Sequence, residues 1–85
     1  MPYIKEHLRP KYRDILRQLP TIETKGDLEF CTYYLMLKFM DDRDERYTPL
    51  HDCVYGVHHA AHEFERDRLD KREDTAKEDN GEIIL

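Results

Sequence analysis

The sequence predicts an all-α fold: a small three-helix bundle with a long C-terminal helix. Three observations predict it. Apolar residues recur at helical spacing, as in Tyr12, Ile15, Leu16 and Leu19. Proline and glycine punctuate the chain at Pro10, Pro20, Gly26, Pro49 and Gly81, cutting it into three pieces. No segment sustains the two-residue alternation of a half-buried strand, and only the short ends, Tyr3-Ile4 and Glu82 to Leu85, leave room for a two-strand pairing. The whole chain, 1–85, reads as one domain, with helices over roughly 10–19, 27–42 and 49–79.

The first helix opens at Pro10, where a missing N–H costs nothing. Its charged residues Lys11, Arg13 and Arg17 fall away from the apolar stripe, and Pro20 stops it. Gly26 and Asp27 read as the turn and N-cap of the second helix, with Glu29 in its first turn. The interior of that helix (Leu28, Phe30, Cys31, Tyr34, Leu35, Leu37, Met40) is apolar on more than one side. Such a helix is buried or shared between subunits. Asp41 to Arg46 is a solvated loop. Thr48 and Pro49 then suit the start of the third helix. Its stripe runs Leu50, Cys53, Val54, Val57, Ala61 and Phe64, while Gly56, Ala60 and Ala61 permit close helix approach. Beyond Phe64 the helix is almost entirely charged, and Gly81 ends it. The apolar Ile83-Ile84-Leu85 is expected to dock on the core or on a neighbouring copy.

Composition narrows the function. The 85 residues are 39% hydrophobic and 39% charged, against roughly 45–50% and a quarter in ordinary domains. The core is therefore thin, and a homo-oligomer is expected, with the middle helix and the first half of the third at the interface. The chain is too small for a two-domain enzyme or a doubly wound nucleotide fold. It holds no apolar run long enough to span a membrane and no secretory leader. Two cysteines, Cys31 and Cys53, do not make a disulfide framework; they read as reduced, buried thiols in a cytoplasmic protein. Net charge is −5 but uneven. Residues 1–25 carry six Lys/Arg against three acids, and residues 26–85 carry eight against sixteen. The acidic total argues against general DNA binding, while the basic end offers a local anion site.

Three constellations carry candidate chemistry. His58 and His62 stand four apart on one helix face, with Glu65 a turn on, and make a minimal metal-ligand set; without a third histidine ligand or an HExxH order they equally read as solvated side chains. The acids Glu63, Glu65, Asp67, Asp70, Glu73, Asp74, Glu78 and Asp79 resemble a magnesium-binding carboxylate array, but basic residues interrupt them, and pairs such as Glu73–Lys77 describe a self-neutralised solvent face. The N-terminal segment interleaves aromatics and bases: Tyr3, Lys5, His7, Arg9, Lys11, Tyr12 and Arg13. Aromatic rings stack on bases and Lys or Arg pairs phosphate, so this segment with Lys25 has the parts of a nucleotide site; otherwise it is ordinary surface.

Two stretches carry a resemblance. Gly26-Asp27-Leu28-Glu29-Phe30 resembles a G-D-L-N-Y motif. Asp52, Glu63, Phe64, Arg66, Glu73, Asp74, Asn80, Gly81 and Ile83 stand as in a second pattern that runs from N-D through E-F-Y-R-R and Y-E-D to N-G-D-V. Both are similar to a family of small proteins of tailed phages and prophages, a domain of unknown function. Val57 stands where that pattern has Leu, Glu82 where it has Asp, and Glu29-Phe30 where it has Asn-Tyr. His58, His59 and His62 fall where it has Glu, Cys and Leu, so the histidines are not a shared feature. Glu65 and Asp67 replace Tyr and Arg, which weakens a basic-aromatic patch there. The resemblance implies a phage accessory protein, acting in the host cytoplasm.

The expected function is non-catalytic: sequestration of a host nucleotide-derived immune signal in a pocket between subunits. Lys11, Arg13, Arg17 and Lys25 would pair phosphates, Tyr3 or Tyr12 would stack on the base, and Glu63 and Arg66 would join from a neighbouring long helix. No cofactor is expected. The first alternative is an acidic inhibitor or scaffold of a host defence protein, using the helix from Glu63 to Glu82. The second is a metal-dependent nucleotide hydrolase using Glu63, Glu73, Asp74 or the histidines.

Overall fold

Pro10 opens helix α1, Pro10–Leu16, as the sequence leads one to expect, behind a 3-10 turn at Glu6–Leu8. The computed structural model describes residues 2–83. Helix α1 stops three residues before the expected Leu19. Gln18 N–H donates to the Ile15 carbonyl (3.0 Å) and Leu19 N–H to the Leu16 carbonyl (3.2 Å), so the chain tightens into turns there. Pro20 bars helical geometry at the residue before it, which accounts for the early stop.

Helix α2 is Lys25–Met40 and starts earlier than the Gly26-Asp27 reading placed it. The cap is Thr24, not Asp27. Thr24 Oγ1 accepts the Asp27 N–H at 3.0 Å, and the Thr24 N–H donates to Asp27 Oδ2 at 3.2 Å. This reciprocal pair is a capping box with Asp in the third position, and such a cap contributes about 1 kcal/mol. At the other end Arg43 folds back, lies 3.8 Å over the Phe39 ring and donates to the Phe39 carbonyl. A cation there satisfies an orphan carbonyl and opposes the helix dipole.

Helix α3, Tyr47–Phe64, begins two residues before the expected Pro49. Arg46 is the N-cap and its side chain makes no capping bond, so Thr48 lies inside the first turn. Pro49 is still tolerated, because N–H groups in the first turn have no intrahelical partner. A π turn, Glu65–Leu69, joins α3 to helix α4, Asp70–Asn80. The expected single third helix is thus a continuous rod with one irregular turn. Gly81 ends it at φ 87°, a conformation that glycine supplies. No strand occurs among the described residues. Ile83 is exposed; Ile84 and Leu85, the rest of the expected docking segment, lie outside the described residues.

α2 and α3 pack as a helical hairpin. Cys53 is the one buried hydrophobic among the described residues, and its thiol donates to the Met36 carbonyl at 3.6 Å. Met36 and Val57 beside it are half-buried, as are Cys31 and Met40 on α2. A crevice of about 160 Å³ runs between Leu35, Met36 and Phe39 of α2 and Cys53, Gly56 and Val57 of α3. The helices do not close into a bundle: α1 packs closely only on the 3-10 turn, and α4 only on the π turn. The molecule is correspondingly open, with a radius of gyration of 16.9 Å.

Candidate functional site

Residues 2–5 run as a strap from the 3-10 turn to the long helix. Two interactions fix it. Arg9, half-buried at the start of α1, donates from Nε to the Ile4 carbonyl at 2.8 Å. The Tyr3 hydroxyl donates to Glu63 Oε1 at 2.9 Å and lies 3.0 Å from Asp67 Oδ2. Glu63 and Asp67 stand four apart on one helical face, which is why a single phenol meets both. Arg66 completes the cluster by pairing with Glu63 Oε1. The Glu63 side chain is only 12% exposed.

The electrostatics follow from these contacts. A carboxylate that accepts the phenol proton and a second one beside it favour the protonated form, so Tyr3 is pushed up to about 12, chiefly by Glu63 and then by Asp67. Glu63 is held below the usual carboxylate value, first by the Arg66 guanidinium and then by the Tyr3 hydroxyl. The cluster is a latch: at neutral pH Tyr3 is protonated, Glu63 ionised and Arg66 charged, each the state that its neighbours favour.

On the α1 side the strap helps to line a groove of about 390 Å³. Pro2, Ile4 and Leu16 supply apolar surface, Tyr12 an aromatic ring, and Arg9, Arg13 and Arg17 three guanidiniums. The arginines recur every four residues, which keeps them along one side of the helix. Guanidinium forks bind phosphate oxygens bidentately, and a tyrosine face stacks on a flat ring. A groove with both, over an apolar floor, fits a small ligand that is anionic at one end and aromatic at the other.

The expected pocket is therefore divided. Tyr12, Arg13 and Arg17 share the arginine groove, whereas Tyr3, Glu63 and Arg66 share the latch, with Pro2 bordering both cavities. Two expected members stand elsewhere. Lys11 lies over its neighbour's ring, Nζ 4.8 Å from the Tyr12 centroid. Lys25 faces Glu29 one turn on, at 3.9 Å, on an open stretch of α2. Two residues join that the expected pocket omitted. Arg9, named only as part of the basic segment, is betrayed by its four-residue spacing from Arg13 and Arg17. Asp67, named only among the helix acids, is found through its four-residue spacing from Glu63.

His58, His62 and Glu65 do share one open surface hollow, of about 580 Å³, with Tyr55 and His59. Among the described residues no group of three or more His, Cys, Asp or Glu side chains is placed to hold a metal ion. The imidazoles instead continue an aromatic ladder along α3: Tyr47 to His51 (5.3 Å between centroids), His51 stacked on Tyr55 (4.2 Å), and Tyr55 to His58 (5.4 Å). On α4 the expected Glu73–Lys77 ion pair is not formed. Both side chains stay in water, where such a pair gains little. No described helix is long and apolar enough to cross a membrane.

Residues 1–83 match the family described as a domain of unknown function, DUF6899, and the chain belongs to that family. No curated protein and no solved structure matches the chain.

Proposed function

We propose that this chain is a phage-encoded, non-catalytic binding protein that sequesters a host nucleotide-derived immune signal in the arginine groove, at a site completed between subunits. The observation that carries the reading is the convergence of Arg9, Arg13 and Arg17 with Tyr12 and the apolar Pro2, Ile4 and Leu16 on one groove. Guanidiniums neutralise phosphates, and the tyrosine ring and aliphatic surface receive the base and sugar.

The test is native mass spectrometry and calorimetry with a panel of cyclic dinucleotides, linear dinucleotides and ADP-ribose derivatives. One class should bind and be recovered chemically unchanged after the protein is denatured. Arg13→Glu should weaken that binding about tenfold or more, the scale of one lost charge-assisted hydrogen bond with added repulsion. Binding that is indifferent to Arg13→Glu, or recovery of a cleaved ligand, sinks the reading.

A second reading rests on α4, which packs on nothing beyond the π turn and carries alternating charge. An acidic arm of this kind suits a basic surface of a host defence protein. It requires tight protein binding that falls steeply with salt and no small ligand in the groove.

A further inference from the structure

We propose that the outer stripe of α2, made of Phe30, Tyr33, Tyr34 and Leu37, is the surface through which copies of this chain assemble. These residues follow the i, i+3, i+4, i+7 rule and lie on the side of α2 away from Leu35, Met36 and Phe39, which border the crevice with α3. They are 71, 64, 58 and 52% exposed. Four large apolar side chains at such exposure, all on one helix, make the kind of contiguous patch that marks an interface.

The area says how much must be covered. A compact monomer of this mass exposes about 5,400 Å², whereas the chain exposes 8355 Å². Its radius of gyration is 16.9 Å, where a compact chain of this length has about 12 Å. The excess over the whole chain, about 3,000 Å², leaves ample area for the roughly 800 Å² per partner that a standard interface buries. Among the described residues Cys53 alone is buried, which is no core for a domain of this size. Covering is therefore a condition of folding, which selects a partner present whenever the chain is made: a second copy.

The inference does not depend on the ligand and is tested with nothing bound. Light scattering at micromolar concentration should give a discrete oligomer of the full chain. In that oligomer Tyr33→Cys should react with a maleimide about tenfold or more slowly than Glu78→Cys on the free-standing α4, with the wild-type Cys31 and Cys53 as background. A monomer overturns the proposal. So does an oligomer in which Tyr33→Cys labels as fast as Glu78→Cys, since the copies would then meet through another face. A monomer would also remove the subunit boundary proposed to complete the groove, whereas a labelling result that moves the interface elsewhere leaves the groove residues themselves untouched.

Discussion

Tyr3 is the residue on which the N-terminal half of the molecule hangs. Among the described residues its hydroxyl makes the strap's side-chain contacts to the long helix, at Glu63 and Asp67, and the strap in turn supplies Pro2 and Ile4 to the arginine groove. The pH dependence has a definite sign. The Tyr3 pKa is raised, so its contribution is complete below the ordinary tyrosine value near 10 and is lost as pH climbs toward about 12. The Glu63 pKa is lowered, so its contribution is present above the ordinary carboxylate value and is lost as pH falls through the lowered one. Tyr3→Phe should remove the alkaline loss while leaving the acid limb set by Glu63 and Arg66. Thermal melts of both proteins from about pH 8 to about pH 12 check this. Equal alkaline slopes in the two would mean that another group carries the effect. If the groove takes the proposed nucleotide, the same variant should bind it more weakly, because the wall formed by Pro2 and Ile4 then keeps only the Arg9 tie.

At the scale of elements, the α2–α3 hairpin holds what core there is, and Gly56 is its weak point. Glycine within a helix is about 1 kcal/mol less favourable than alanine. A methyl group at Gly56 meets no atom within 4 Å, although the residue borders the crevice between the two helices. Gly56→Ala should therefore stabilise the hairpin by about 0.5–1 kcal/mol, which calorimetry reads as a rise of a few degrees in Tm. An unchanged or lower Tm would show that α2, or a neighbouring copy, uses the space. The elements themselves were legible because proline, glycine and apolar spacing are local signals: α1 begins at Pro10, and the rod ends at Gly81. The cap of α2 was misread at Asp27 because Gly-Asp is also turn chemistry, and only the Thr24 partner three residues upstream decides between the two. The π turn has no compositional mark at all. The latch joins residues 60 and 64 positions apart, a separation that no periodicity encodes.

For the whole molecule, the open shape sets the thermodynamics. If copies cover α2, folding and assembly are one equilibrium, and Tm must rise with protein concentration by mass action. Melts at two well-separated concentrations settle the point, and a Tm independent of concentration would mean that the chain folds alone. The net charge of −5 keeps such assemblies soluble without fixing their number. The turn at Glu65–Leu69 has a consequence at this scale. One extra residue in a helical ladder offsets the azimuth of everything after it by about 100°. The hairpin end of the rod and its charged end are therefore out of phase, like two keys cut on one shaft at different angles. If copies assemble as proposed, a neighbour that grips the first need not touch the second, which leaves the charged end facing another direction.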